Sequence, residues 1–381
     1  MHTDLLHVDP TRIGEIILHH TPGALLGEWD IKWAENSPDL AHLQRAAAQL
    51  QSTDTPVAFP TETVYGLGAD ATRSSAVRGI FQAKQRPTDN PLIVHVYSIQ
   101  QLRGLLRPTP GNDPIPAIYR PLIERFWPGP LTIILPKPTD SVLAPEVTAG
   151  LGTFGARMPR SLLALVLIKL AGVPLAAPSA NVSTRPSPTA AEHVKDDLDG
   201  RIEIVIDGGP CEVGVESTVV DGLTYPPSIL RPGGVSIDQL RQCPGWEDVV
   251  VGYKNAPENG SQPRAPGMKY RHYSPKAPVI LYEASTGQPT VDAILEYTGE
   301  GKRIGIIRTH SWPLACGLPV RLWDINLGSG TESVARGLFS ALRELDKNGV
   351  DVIFVEGIDD TDGNIATAVM NRLRKAAQIT A

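Results

Sequence analysis

Cysteine is scarce in this 381-residue sequence, and the few that are present lie far apart. Cys211, Cys243 and Cys316 form no CxxC pair, so they cannot build a zinc site with the usual ligand spacing. Isolated cysteines are typical of reduced thiols in a cytosolic protein. Aromatic residues are also few, at 6% of the chain, which disfavours a surface that stacks nucleic-acid bases.

Long hydrophobic runs are missing as well. The longest, 162–168, is followed by Lys169 and falls short of the roughly 20 residues that span a bilayer. The N-terminus lacks the charged-then-apolar pattern of a secretory signal, and its early acids, Asp4 and Asp9, disfavour a mitochondrial presequence. We therefore expect a cytoplasmic protein without a membrane segment.

The common nucleotide-binding and catalytic motifs do not occur. The sequence has no GxxxxGK[ST] loop, no HExxH pair and no GxSxG elbow. Gly66-Leu67-Gly68 lacks the third glycine of a dinucleotide-binding fingerprint. A nucleotide site in this protein would have to use a less common arrangement of residues.

The composition itself is that of an ordinary globular protein, with 41% apolar and 20% charged residues. The length is too great for one ordinary core and predicts two domains. The net charge of -6 argues against a general polyanion binder, but it allows a local basic cleft.

Hydrophobic periodicity predicts an α/β fold. Strands and helices interleave irregularly over 39–245, which indicates a twisted mixed sheet and not a regular doubly wound one. Residues 1–38 show little periodicity and are predicted to be an N-terminal extension. Residues 246–276 have the proline, glycine and polar content of a linker. Residues 277–381 alternate strands with helices, one of them at 291–297, as in a small Rossmann-like domain.

The most informative segment places Thr61, Thr63 and Tyr65 at alternating positions, with the cations Lys84 and Arg86 soon after. In an extended segment the three hydroxyls would share one side, which suits a small polar ligand. Threonines of an ordinary turn fit the same pattern. Lysine and arginine suit phosphate contacts, although cations at a helix C-terminus are also favoured by the helix dipole.

Two polar residues lie within apolar surroundings. His95 sits inside an apolar predicted strand, where a lone histidine is more often a core residue than a catalyst. Arg157 has small and apolar neighbours, and a buried cation needs an anionic partner. That partner could be a carboxylate or phosphate of a ligand, or it could be Glu216.

Polar loops follow several predicted strands, carrying Ser179 and Asn181 in one and Arg231 in another. Because α/β sheets place ligands at strand ends, these loops predict a shared site. The linker contains two tyrosines, a histidine and two further basic residues, Lys269 and Arg271, within 265–275. A simple spacer does not need those residues, so we expect this segment to fold over a ligand and exclude water.

In order and spacing, these segments resemble the two-domain threonylcarbamoyl-AMP synthases of the YrdC/Sua-five type. The motifs that carry the resemblance are PTETVYGLGADA, KQRPTDNPLIVHV, FWPGPLTIIL, GARMPRS, APSAN, GGPCEVGVESTVVD, ILRPGG and APGMKYRHYSP. The resemblance covers about residues 40–381 and leaves the first 38 residues unassigned.

The resemblance implies a YrdC-like first domain of the double-stranded-RNA-binding type, a linker and a Rossmann-like C-terminal domain. It implies that N-carboxythreonine, formed from L-threonine and bicarbonate, attacks the α-phosphorus of ATP and that pyrophosphate leaves. Mg²⁺ would accompany ATP with few protein ligands, and no protein metal site is expected. The product would serve N6-threonylcarbamoylation of adenosine 37 in tRNA through a separate transfer complex, with weak or no direct tRNA binding by this chain.

The resemblance also implies roles for individual residues. The residues matching the threonine pocket are Thr61, Thr63, His95, Arg157, Ala177 and Ser217. The residues matching the ATP and adenylate side are Lys84, Arg86, Asn90, Thr153, Ser179, Asn181, Ser187 and Arg231, with His272 and Tyr273 closing over the nucleotide. Lys84 and Arg86 would also serve catalysis by charge neutralisation, and no general base is identified.

Two other functions fit parts of the sequence. The fold of the first domain is also associated with double-stranded RNA binding, which the net charge and the few aromatic residues disfavour. A carbamoyltransferase of the hydrogenase-maturation type shares this domain, but it would need paired CxxC motifs and an acylphosphatase segment, and the chain has neither. Pyrophosphate release from ATP that depends on threonine and bicarbonate would separate the three functions.

Overall fold

The structure is a computed structural model, and the residues that it describes are 2–19, 24–108, 111–253, 272–284, 286–290, 292–294, 302–313, 321–361 and 365–380. Of the predicted helix at 291–297, residues 292–294 lie within these ranges and are helical, whereas the rest of it lies outside them. Most of the predicted cover segment at 265–275 also lies outside these ranges. None of the described helices is long and apolar enough to cross a membrane.

A large mixed β-sheet forms the first domain. Its strands are β1 (Asp4–His7), β4 (Val57–Phe59), β5 (Gly66–Asp70), β6 (Ile93–His95), β7 (Leu131–Pro136), β8 (Thr153–Arg157), β9 (Leu175–Ala176), β10 (Ile204–Asp207), β11 (Thr218–Asp221), β12 (Ser228–Arg231) and β13 (Val250–Val251). The strands β2 (Gly14–His19) and β3 (Glu28–Trp33) form a separate antiparallel hairpin. In the described part the sheet order is β1-β10-β4-β5-β9-β6-β8-β7-β11-β12-β13. Parallel and antiparallel pairs are mixed along it, which confirms the predicted sheet type.

Helices cover both faces of this sheet. They are α1 (Pro38–Ser52), α2 (Ser74–Lys84), α3 (Ile99–Arg103), α4 (Arg120–Phe126), α5 (Pro145–Thr148), α6 (Leu162–Ala171), α7 (Ala191–Leu198) and α8 (Ile237–Arg241), with short 3-10 turns at Pro10–Arg12 and Ala117–Tyr119. The side chain of Ser37 caps α1 and that of Ser161 caps α6. These two helices share one apolar cluster against the sheet, in which Leu43 of α1 and Ile168 of α6 are fully buried.

The helix α2 ends at a residue that sets up the site. Gln85 adopts left-handed backbone torsion angles with φ of 51°, and its amide donates to the Phe81 and Gln82 carbonyls. This turn stops the helix and directs the following chain away from the helix axis. Lys84 is therefore the last residue of α2, and Arg86 begins the loop that leads into β6.

The C-terminal domain is a small parallel sheet flanked by helices. Its elements are β14 (Val279–Tyr282), β15 (Arg303–Arg308), β16 (Arg321–Asn326), α9 (Thr331–Lys347), β17 (Val352–Glu356), α10 (Ile365–Ala376) and β18 (Ile379–Thr380). The strand order is β16-β15-β17-β14-β18, and every pair is parallel. The predicted Rossmann-like architecture is confirmed.

The first 38 residues contain more structure than their pattern predicts. Strand β1 extends the large sheet beside β10, and the Thr3 hydroxyl donates to the Ile202 carbonyl at 2.6 Å. Strand β1 is four residues long with only Leu6 buried, so periodicity is a weak signal there. At the other end, β13 pairs with β12 inside the stretch predicted as linker. The exact domain boundaries stay a prediction.

The two domains share one apolar cluster. Val64 and Val215 of the first domain pack in it with Phe339 and Leu342 of α9. Gly214 makes the close approach possible, because a Cβ at this position would overlap the backbone of α9. Its φ of +81° also favours glycine. The C-terminal domain therefore packs directly against the loop that precedes β11.

Candidate active site

A cleft lies beside the loops at the strand ends of the first domain. Most of the predicted site residues line it: Thr61, Thr63, Lys84, Arg86, His95, Arg157, Ala177, Ser179, Asn181, Ser187, Ser217, Arg231, His272 and Tyr273. The described lining does not include two others, Asn90, which is buried, and Thr153, which is half-buried at the start of β8. Their roles stay predictions.

Arg157 is held by a buried network at the base of the cleft. Its Nη1 donates to the Thr63 hydroxyl at 3.0 Å, and its Nε donates to the Gly129 carbonyl at 3.1 Å. The hydroxyl oxygens of Thr63 and Thr61 lie 2.8 Å apart. The guanidinium is therefore fixed in position by both backbone and side-chain groups.

The anionic partner of Arg157 is Glu62, whose Oε1 lies 2.7 Å from Nη2. The alternative partner, Glu216, pairs instead with Arg372. Both Arg157 and Glu62 are almost completely buried. The sequence offers a signal for this pair, since Glu62 is next to Thr63, the threonine that contacts the arginine. The pattern alone does not show that Glu62 turns toward β8.

The prediction that Tyr65 shares one side with the two threonines is wrong. Residues 62–64 form bends, not an extended strand, so the alternation of side chains does not apply to this segment. The Tyr65 hydroxyl donates to the Gly209 carbonyl at 2.7 Å. Burial raises the pKa of this phenol. Tyr65 is thus a core residue behind the cleft.

His95 faces the cleft as a neutral imidazole. Its Nδ1 lies 3.2 Å from the Ile93 carbonyl, and its ring meets that of Phe59 edge-on. Burial, and then the charge of Arg157, lower the pKa of His95 to about 3. A neutral imidazole can bind a ligand by hydrogen bonds without adding charge to the site.

Lys84 is buried and holds the loop that follows β9. Its Nζ donates to the carbonyls of Ser179 and Asn181. Burial and the nearby Arg86 lower the pKa of the Lys84 amine well below its usual value. Lys84 and Arg86 therefore bring two basic side chains to one wall of the cleft.

Two sets of hydrogen bonds connect the other loops that line the cleft, one between Ser187 and Glu216 and one between Arg231 and Ser217. The Ser187 hydroxyl donates to Glu216 at 2.5 Å. Arg231 donates from Nε and Nη2 to the Ser217 carbonyl at 3.1 and 3.0 Å, and Nη2 also reaches the Ser217 hydroxyl at 3.1 Å. Ser217 in turn contacts the Thr132 hydroxyl at 2.8 Å. The start of β11 and the end of β12 are therefore locked together at the cleft.

The end of the linker reaches the cleft through His272 and Tyr273. Tyr273 has a φ of +66° and stacks on Phe339 of α9 with ring centroids 5.3 Å apart. Burial and the nearby cations, beginning with Arg86, lower the pKa of His272 to about 3. The Ser274 amide donates to the Thr184 carbonyl at 2.8 Å, which ties the linker to the first domain.

The cleft combines many cations with few anions. The basic side chains on its lining belong to Lys84, Arg86, Arg157, Arg185 and Arg231, whereas Glu216 is the acidic one among the described residues. Arg157 and Arg185 already have the carboxylate partners Glu62 and Asp197. The lining still carries more basic than acidic side chains, and this balance favours an anionic ligand through charge-assisted hydrogen bonds. Within the described ranges no group of three or more histidine, cysteine or acidic side chains is arranged to hold a metal ion.

Comparisons with known proteins agree with this geometry. Residues 49–233 match the family model described as "Telomere recombination", and residues 235–378 match "Threonylcarbamoyl-AMP synthase, C-terminal domain". The threonylcarbamoyl-AMP synthase of Schizosaccharomyces pombe is 46% identical over 366 residues, which is 88% of each chain. This chain belongs to the threonylcarbamoyl-AMP synthase family. It is therefore an enzyme of the nucleotidyltransferase class.

Other members of the threonylcarbamoyl-AMP synthase family support the same assignment. The Bacillus subtilis protein of that name is 46% identical over 350 residues and matches 90% of this chain and 94% of its own. The crystal structure of Pyrococcus abyssi Sua5 complexed with L-threonine superposes with a TM-score of 0.76 at 42% identity. That superposition covers 89% of this chain and 96% of the Pyrococcus chain, so both domains of the fold are matched.

Proposed function

We propose that this protein makes L-threonylcarbamoyladenylate from L-threonine, bicarbonate and ATP, and releases pyrophosphate. The observation that carries the proposal is one cleft lined both by the Thr61–Thr63–Arg157 network and by the basic side chains of Lys84, Arg86 and Arg231. The first group suits an amino acid and the second suits phosphates. A reaction that joins an amino-acid derivative to a nucleotide needs both groups in one place.

In this proposal, Arg157 binds the threonine carboxylate. A guanidinium has five N–H donors, and the protein uses three directions of this one, toward Thr63, Gly129 and Glu62. The remaining donors can form a charge-assisted pair with a ligand carboxylate. The other residues assigned to the threonine pocket are Thr61, His95, Ala177 and Ser217.

The nucleotide contacts the other residues of the cleft. Lys84 has three N–H donors and gives two to the carbonyls of Ser179 and Asn181, so one can reach a phosphate oxygen. Arg86 supplies a second cation. The further residues assigned to ATP and the adenylate are Ser179, Asn181, Ser187, Arg231, His272 and Tyr273, together with Asn90 and Thr153, which do not line the cleft.

The chemistry requires positioning and charge neutralisation more than proton transfer. The carbamate oxygen of N-carboxythreonine forms a bond to the α-phosphorus of ATP, and the bond from that phosphorus to the pyrophosphate oxygen breaks. The attacking oxygen already carries negative charge, so no general base is assigned. Lys84 and Arg86 offset the charge that develops on the phosphates. Mg²⁺ enters as part of the ATP substrate.

The product has a defined use in this proposal. It supplies the threonylcarbamoyl group for N6-modification of adenosine 37 in tRNA, and a separate complex carries out the transfer. The net charge of -6 fits a protein that hands on a small molecule and binds tRNA weakly or not at all. A cytoplasmic location stays a prediction from the sequence.

The test is pyrophosphate release by the purified full chain with MgATP, L-threonine and bicarbonate. We expect release only when all three substrates are present, and a product with the mass of threonylcarbamoyl-adenylate. Release without threonine would point to a plain ATP hydrolase. No release with all three substrates would overturn the proposal.

A further inference from the structure

We infer that Arg372, on the last helix of the C-terminal domain, is a positioning residue for the active site of the first domain. The inference rests on the proposed function and adds the C-terminal domain to it. Arg372 does not line the cleft itself. It contacts Glu216 and Tyr273, which line the cleft, and the carbonyl of Pro232, which follows the lining residue Arg231.

The first contact is an ion pair with Glu216. Nε of Arg372 donates to Oε2 of Glu216 at 3.0 Å, while Oε1 of the same carboxylate accepts from the Ser187 hydroxyl at 2.5 Å. Arg372 therefore orients a carboxylate that in turn orients a residue assigned to ATP. Glu216 also precedes Ser217, which is assigned to the threonine pocket, so one arginine acts on both substrate sides.

The second contact fixes the loop after β12. Nη1 of Arg372 donates to the Pro232 carbonyl at 2.6 Å. Pro232 follows Arg231, whose guanidinium binds Ser217. The fork of the guanidinium thus holds the two neighbouring loops at a fixed separation, which a lysine could not do with a single ammonium.

The third contact is with the linker. The Arg372 guanidinium lies over the Tyr273 ring at 5.5 Å from the ring centre, and Phe339 stacks near that ring. Tyr273 is the residue expected to close over the nucleotide. Its position therefore depends on two side chains of the C-terminal domain.

Burial makes these contacts obligatory. The Arg372 side chain has 0% exposure and Glu216 has 6%. Removing the arginine would leave a buried carboxylate without its cation, and the carboxylate would have to shift or take a proton. Burial acts to raise the pKa of Glu216, but Arg372, Arg231 and the Ser187 hydroxyl outweigh it and lower that pKa.

The experiment compares Arg372→Gln and Arg372→Lys with Arg374→Gln in the full chain. Arg374 is a matched control, because it lies on the same helix and pairs with Glu283 and Asp360 of its own domain. We expect Arg372→Gln to raise KM for ATP by about tenfold or more, since it removes charge-assisted hydrogen bonds behind the ATP-side residues. KM for threonine should rise less, Arg372→Lys should recover part of the loss, and Arg374→Gln should match the wild type.

Two measurements keep the test decisive. Thermal unfolding identifies variants that fail to fold, and if Arg372→Gln is one of them, Arg372→Lys and Glu216→Gln carry the same comparison. Calorimetric binding of MgAMPCPP, an ATP analogue that is not cleaved between the α- and β-phosphates, needs no turnover. It separates failure of this inference from failure of the proposed function. Folded Arg372 variants with wild-type KM for ATP and wild-type analogue affinity would overturn the inference, as would an equal effect of Arg374→Gln.

Discussion

At the scale of single residues, the Arg157–Glu62 pair defines how the amino-acid side of the cleft works. Both side chains are buried and lie 2.7 Å apart, so the charge of the arginine is already partly compensated before any ligand binds. A carboxylate ligand therefore meets a fixed guanidinium whose cost of burial the protein has already offset. Thr63 completes its orientation through a 3.0 Å hydrogen bond.

Replacing this pair should separate threonine binding from ATP binding. Arg157→Ala alone leaves Glu62 as an unpaired buried charge, at a cost of about 3 to 5 kcal/mol in stability. The double variant Arg157→Ala/Glu62→Gln avoids that cost. We expect it to lose about tenfold to a hundredfold in threonine affinity, as for a lost charge-assisted contact, and to keep its affinity for MgATP. Calorimetric titration with each substrate measures both values.

The control for this variant is Arg160→Ala. Arg160 lies three residues along the chain and pairs with Glu212 at the surface, with 56% and 71% of their side chains exposed. It should bind threonine as the wild type does. Equal losses of threonine and ATP affinity in the double variant would contradict the role given to Arg157.

Residue types and their spacing predicted most of this site, because the polar loops follow strands whose ends meet at one sheet edge. The side-chain directions needed the folded backbone. Tyr65 turns into the core because the chain bends at residues 62–64, and the partner of Arg157 is Glu62 and not Glu216. Arg372 carries no sequence signal for a site, since its partner Glu216 lies 156 positions away along the chain.

At the scale of elements, the contact between the loop 213–215 and helix α9 depends on glycine. The Gly214 amide donates to the Thr63 carbonyl at 3.1 Å, so this loop is also bound to the segment that carries the site threonines. On its other side, Gly214 faces the backbone of Ala335 and Arg336. A shift of α9 would therefore act on the threonine side of the cleft.

Gly214→Ala should destabilise the protein more than the same change at another glycine with positive φ. Gly209 is the matched control, because its φ is +83° and no atom lies within 4 Å of the position that an added methyl group would take. Gly209→Ala should cost about 1 to 2 kcal/mol from backbone strain alone. Gly214→Ala adds the overlap with α9, so its urea midpoint should fall further. Equal midpoints for the two variants would show that the domain contact does not need this glycine.

At the scale of the whole molecule, the domain contact buries charge as well as apolar surface. Besides Arg372, Arg343 of α9 pairs with Asp197 of α7 at 2.8 Å, and the Asp197 side chain has 0% exposure. Arg185, which lines the cleft, binds the other oxygen of Asp197 at 2.5 Å. Asp197 therefore links Arg343 of the C-terminal domain to Arg185 in the cleft of the first domain.

Stability should fall as the pH is lowered from about 6.5. Burial, followed by the charges of Arg157 and Arg86 respectively, lowers the pKa of His95 and of His272 to about 3. Burial and the charge of Arg343 lower that of His193 to about 4. The unfolded chain binds protons near pH 6.5 that the folded chain cannot bind, so protonation favours unfolding in this window.

Urea denaturation at pH 7 and pH 5 measures this effect. Each buried histidine should contribute on the order of 2 kcal/mol of lost stability at pH 5. His95→Asn should show a smaller difference between the two pH values than the wild type, because it has one fewer group that takes up a proton on unfolding. An unchanged midpoint between pH 7 and pH 5 would contradict the neutral state of these histidines.

Strand β1 has a consequence for how the chain is made. Thr3 is fully buried, and its hydroxyl binds a carbonyl 199 positions further along. A ribosome adds about 5 to 20 residues per second, so β1 waits on the order of ten seconds or more before β10 has been synthesised. The edge of the large sheet therefore closes late, and the nascent chain must keep β1 free from other exposed strands until its neighbour has left the exit tunnel.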